Sequence, residues 1–137
     1  MVQKINRDIF SLGQKALPAT KDDVQIARDL LETLIAHRKE CVGMAANMIG
    51  KQKAIIVFES GFGTYLTMFN PTIIAKSGRY VAEEGCLSLD GVRKTERFRK
   101  IKVRFSDENF EEKIMEFTDR TAQIIQHEID HTNGKII

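Results

Sequence analysis

Residues 99–105, RKIKVRF, alternate without a break. Ile101, Val103 and Phe105 fall on one side, and Arg99, Lys100, Lys102 and Arg104 supply the charge between and before them. A period of two sustained this way is compatible with a half-buried strand and with little else. Such a strand needs neighbours on both edges or one covered edge, and a core beneath its apolar face. Other segments supply those partners. KAIIVF, 53–58, is a short β-branched run that predicts a buried strand. TYLTMFNPTIIA, 64–75, predicts a strand, a turn at Asn70-Pro71 and further extended chain. DENFEEK, 107–113, predicts a turn or a strand edge.

Two helices frame these strands. Thr20 precedes KDDVQIARDLLETLIAHRK, where Ala27, Leu30, Leu31, Leu34 and Ile35 recur at helical spacing, and Asp22 and Asp23 place acid at the start. Thr118 opens a second helix with Ala122, Ile125 and Ile129 along one stripe. The order helix, strands, helix predicts an α+β fold, with the last helix packed on a mostly antiparallel sheet. The length predicts a single domain, 1–137.

A formal net charge of +2 argues against nucleic acid or membrane as the main partner. No apolar run has the length of a membrane span, and MVQKINRDIF has no signal-like apolar core, so a cytoplasmic protein is expected. In that compartment a disulfide between Cys41 and Cys86 is disfavoured, and a metal or catalytic role becomes the better question.

The segment QHEIDH, 126–131, sharpens that question. His127 and His131 are four apart, so one helix face presents both, and Glu128 is placed to take a proton from water at an ion. The bland alternative is a solvated surface helix. A hydrolytic ion needs a third protein ligand, which must come from upstream. His37, Cys41, Cys86 and the carboxylates are the candidates. Cys86 follows Gly85 in EEGCLSLDG, a stretch with no helical pattern, and a thiolate suits zinc or ferrous iron.

Three segments appear together in this order: GMAANMIG at 43–50, EGCLS at 84–88 and QHEIDH at 126–131. They resemble the three motifs of the peptide deformylases. FNPTII and GVRKTERFRKIKVRF resemble the segments between them. The resemblance implies a deformylase-like fold and one divalent metal on Cys86, His127 and His131. Fe2+ is the first choice, with Zn2+, Ni2+ or Co2+ as substitutes. It implies removal of the formyl group from the initiator methionine of nascent polypeptides. Hydroxide generated at the metal attacks the formyl carbon, with Glu128 as general base and then acid. The Leu87 backbone N–H would face the oxyanion, Gly43 would hold substrate backbone, and Arg93 would pair with an acid near the cysteine. A transient ribosome association goes with that activity.

The chain departs from the family pattern in its first motif, Gly-x-Gly-x-Ala-Ala-x-Gln. Cys41 replaces the first glycine, and Met48 stands at the glutamine whose amide normally serves the oxyanion; a thioether donates nothing. Asn47 has an amide, but in extended chain it would point the other way. The bland expectations are that Met48 and Cys41 fill core, that His37 is solvated, and that the basic run from Arg93 to Arg104 is the wet side of a strand. The departure keeps a second function in view: a degenerate paralogue that retains the metal site as a weak enzyme or a binding protein.

Overall fold

The structure, a computed structural model, describes every residue except Phe62, Leu87, Ser88, Ile136 and Ile137, with Leu89 described through its backbone alone. The elements run α1 (Ile9–Leu12), α2 (Val24–Ala36), β1 (Gly43–Ala45), β2 (Ile55–Gly61), β3 (Thr64–Cys86), β4 (Leu89–Ser106), β5 (Glu112–Thr118) and α3 (Asp119–Thr132). Among the described residues the strands form one antiparallel sheet in the order β1-β2-β3-β4-β5.

α2 and α3 pack on opposite faces of this sheet. Ala27, Leu30 and Leu34 of α2 cluster with Met44, Ile55, Val57 and Phe69. Ala122, Ile125 and Ile129 of α3 cluster with Ala45, Ile56, Phe58, Met68, Ile101, Val103 and Phe105. Alternate residues of β2 therefore serve alternate cores. That is why KAIIVF reads as a continuous apolar run while RKIKVRF alternates: α3 covers one face of β4, and the other face is wet. On that face Lys100 and Lys102 pair with Glu116, and Arg104 pairs with Glu112 across to β5.

α2 begins later than its first charged residues suggest. Thr20 and Asp23 form a capping box around a 3-10 turn at Lys21–Asp23, and the α-helix proper follows. His37 ends α2, its Nδ1 2.9 Å from the Thr33 carbonyl, so it is a half-buried capping residue and not a solvated one. The expected turn at Asn70-Pro71 is a bulge instead. β3 runs through it, with the pairing to β4 shifting between Phe69 and Thr72. Asn70 adopts φ 54° there, and its side chain donates to and accepts from the backbone of Ala19, which ties the N-terminal segment to the sheet. No described helix is long and apolar enough to cross a membrane.

Candidate metal centre and active-site cleft

His127, Glu128 and His131 are 8%, 4% and 2% exposed, which excludes a solvated surface helix. α3 is held in position from outside the site. Gln126 exchanges two hydrogen bonds of 2.8 Å with the backbone of Phe98 on β4, and Asn47 donates to the His131 carbonyl at 2.9 Å. Cys86 arrives from the other direction. It is the last residue of β3, paired with Leu89 of β4, and the register shifts between Gly85 and Cys86. The stretch without helical pattern is thus, up to Cys86, the end of a strand ladder.

Ligand atoms of Cys86, His127 and His131 all lie within 4.8 Å of one another. The two Nε2 atoms face each other at 3.0 Å. His127 reaches Glu84 Oε1 through Nδ1 at 2.8 Å, which fixes the ring and leaves Nε2 for an ion. Cys41 and His37, the other upstream candidates, are not in the cluster.

Glu84 is buried under a polar network. Arg97 forks onto it, with Nη2 at 2.6 Å from Oε1 and Nε at 2.9 Å from Oε2. Arg97 also reaches Asp130 at 2.7 Å, and Gln123 donates to Glu84 at 2.9 Å. The arginine that pairs beside the cysteine is therefore Arg97, not Arg93. Arg93 stands opposite Glu84 in the ladder, but its guanidinium points to the Asp90 carbonyl at 3.5 Å. Glu84 was legible in principle: two residues before Cys86 on a strand, it shares that residue's face.

Charge states follow from this packing. Burial pushes the Glu84 carboxyl up, but hydrogen bonds from His127 and Arg97 outweigh it and hold it at about 2. Burial disfavours charge on His127, yet hydrogen bonds with Cys86 and Glu84 raise it to about 10 without an ion, so an ion bound at Nε2 would displace a proton there. Burial and the neighbouring His127 lower His131 to about 3, so its lone pair is available. Burial raises Glu128 to about 7, which suits a group that takes and returns a proton near neutrality. Its Oε1 is buried with no partner. A soft thiolate, two oriented imidazoles and an unpartnered carboxyl fit a divalent cation with water beside it.

A cleft of about 560 Å³ opens on this centre, lined among others by Cys41, Gly43, Met48, Cys86, His127 and Glu128. Gly43 is glycine by close approach: a Cβ there would lie 2.9 Å from Glu128 Oε2 and 2.9 Å from Ile124 Cγ2. Met48 is both core and cleft wall, 1% exposed. It sits in a 3-10 turn, Ala46–Ile49, and not in extended chain. The Asn47 amide is spent on His131 and does not stand in for the missing glutamine. Leu87, whose backbone N–H was the other expected oxyanion donor, lies outside the described residues.

A buried His-Glu-x-x-His helix faced by a cysteine is the donor set of a hydrolytic metal centre. The family model for polypeptide deformylase matches residues 2–137. A peptide deformylase of Clostridium beijerinckii is 50% identical over 137 residues, covering 100% of both chains. One from Thermoanaerobacter pseudethanolicus is 36% identical over 97% of this chain and 83% of its own. Among solved structures, a peptide deformylase from Legionella pneumophila superposes with a TM-score of 0.89 at 29% identity, over 99% of this chain and 83% of its own. A class I type b peptide deformylase from Acinetobacter baumannii bound to Met-Ala-Ser gives 0.89 at 26% identity, over 99% and 97%. The chain belongs to the peptide deformylase family, and it is an enzyme of that kind.

Proposed function

We propose that the chain, acting as one domain in the cytoplasm, removes the N-terminal formyl group from the initiator methionine of polypeptides leaving the ribosome. In this reading Cys86, His127 and His131 hold one divalent cation. Ferrous iron is the first choice by the family resemblance; one thiolate and two imidazoles suit it and equally suit zinc, nickel and cobalt as substitutes. The bound cation supplies Lewis acidity toward a water and the formyl carbonyl. Everything else is done by the chain. Gly43 offers backbone groups to the peptide and leaves room for the Glu128 carboxyl. Glu128 takes the proton of the attacking water and returns it to the departing amine. Glu84 keeps His127 in one tautomer, and Arg97 keeps Glu84 in place. The Leu87 backbone N–H is proposed as a donor to the developing oxyanion.

The observation that carries this reading is Glu128 itself: buried, unpartnered at Oε1, held near neutrality and beside the Cys86/His127/His131 cluster. The test is Glu128→Ala. Iron loaded anaerobically should bind as in the parent, while hydrolysis of formyl-Met-Ala-Ser is lost. Parent-level hydrolysis by the variant would refute the role. One observation favours the second reading, a weakly active or binding paralogue: the Met48 position offers no donor and Asn47 is committed elsewhere. A metal-loaded parent that leaves formyl-Met peptides uncut would decide for it.

A further inference from the structure

β1 is an edge strand of the sheet. The Glu59 N–H donates to the Val42 carbonyl at 2.9 Å, so by register Val42 faces Glu59 at a hydrogen-bonding position just before β1. Antiparallel ladders alternate, so the next pair, Gly43 with Phe58, is a non-bonded one. The Gly43 N–H and C=O therefore point away from β2, onto the free edge and the cleft that Gly43 lines. Unpaired edge groups of this kind accept an extended peptide as an added strand. Here the acceptor is already engaged. Cys41 Sγ lies 2.8 Å from the Gly43 oxygen and donates to it. Cys41 also lines the cleft, on which the unpartnered Glu128 opens. Burial first, and then the Glu128 charge, push the thiol up to about 12, so it stays a donor at working pH.

We infer that Cys41 is a specificity-determining residue, an internal competitor for the Gly43 carbonyl that an incoming peptide N–H must displace. This rests on the proposed deformylase use of the cleft. Two consequences follow. Peptide backbone binding is weaker than an unblocked edge would give. A peptide lacking the matching N–H, through N-methylation or proline, is penalised less, because Cys41 keeps the carbonyl satisfied where an empty edge would leave it unpaired.

The test compares the parent, Cys41→Ala and Cys41→Ser on formyl-Met-Ala-Ser and on versions N-methylated at each amide in turn. Cys41→Ala should lower KM by roughly two- to fivefold, the low side of one hydrogen bond because a thiol is a weak donor. The change should fall in KM and not in kcat. Cys41→Ser, which restores a donor, should return KM toward the parent value. One N-methylation should cost more in Cys41→Ala than in the parent. The same affinity ratio should appear by calorimetry in a Glu128→Ala background, where nothing turns over. An unchanged KM and Kd in Cys41→Ala overturns the inference, as does a serine variant that behaves like alanine, or no peptide binding at all. The expected ratio in binding, with a parent that cuts nothing, would uphold Cys41 while rejecting the hydrolytic reading.

Discussion

Replacing Arg97 by alanine removes one residue from the interior and leaves a charge behind. Arg97 is 2% exposed and gives three hydrogen bonds to Glu84 and one to Asp130. Without it, Glu84 remains buried with only His127 and Gln123 to share its charge. Breaking a buried pair from one side costs about 3–5 kcal/mol. At this chain length each kcal/mol moves the melting temperature by roughly 3–5 °C, so Arg97→Ala should melt roughly 10–20 °C below the parent. Scanning calorimetry on metal-free protein reads this directly. Chelator competition should show a second effect: His127 loses its fixed carboxylate, and ion affinity falls by about 10–100-fold. Arg97→Lys should lie between, because an ammonium cannot fork onto Glu84 and reach Asp130 at once. Arg93→Ala is the contrast. Its guanidinium makes one long bond to a carbonyl, and its loss should stay within about 0.5 kcal/mol. An Arg97→Ala variant melting within about 2 °C of the parent, or an Arg93→Ala variant that loses more, would refute the assignment.

Cys86→Ala should abolish stoichiometric ion binding in metal analysis, since two imidazoles remain of the three-residue set. Met48→Gln should raise kcat at least about tenfold with little change in KM, the low side of what one oxyanion donor supplies. Gly43→Ala should keep the ion but lose at least about tenfold in rate, because the new Cβ would stand 2.9 Å from Glu128 Oε2; stability should fall by about 1–3 kcal/mol as Ile124 yields. For pH, Glu84 sits at about 2 when folded against an ordinary 4.5. A depressed carboxyl contributes stability above its unfolded value and loses it as pH falls through its folded one. Acid melts should therefore show stability declining from about pH 4.5 toward pH 2, and Glu84→Gln should flatten that part of the curve.

The parts of the molecule legible in the sequence are those whose periodicity reports a single environment. Ile101, Val103 and Phe105 face one helix, and Ala122, Ile125 and Ile129 face the same core from the other side. The His pair was readable because four residues on a helix define a face whatever the fold. The rest depended on partners distant along the chain. That Arg97, and not Arg93, meets Glu84 follows from where the β3–β4 guanidinium groups turn relative to α3, which local pattern does not encode. Asn47 read as extended because Gly43–Ala45 before it is extended; the 3-10 turn follows from packing Met48 and Ile49 against α2. Of β5 only Glu112 and Lys113 fall within the stretch 107–113 that reads as a turn or strand edge; the strand itself is not legible, since its residues are mostly exposed and their alternation carries ion pairs in place of core contacts.

Cys86 ends β3 and His127 lies on the last helix, so an ion held by both, as proposed, would close a loop of the chain. In polymer terms it is a removable cross-link. The loop spans about 40 residues, for which the chain-entropy estimate of a permanent link is about 4 kcal/mol. β4, β5 and the first half of α3 all lie inside that loop. Chelation would thus return the loop's conformational freedom to the unfolded ensemble and lower the unfolding free energy by up to about 4 kcal/mol, so the resistance of β5 to proteolysis through global unfolding should report the occupancy of a centre it does not touch.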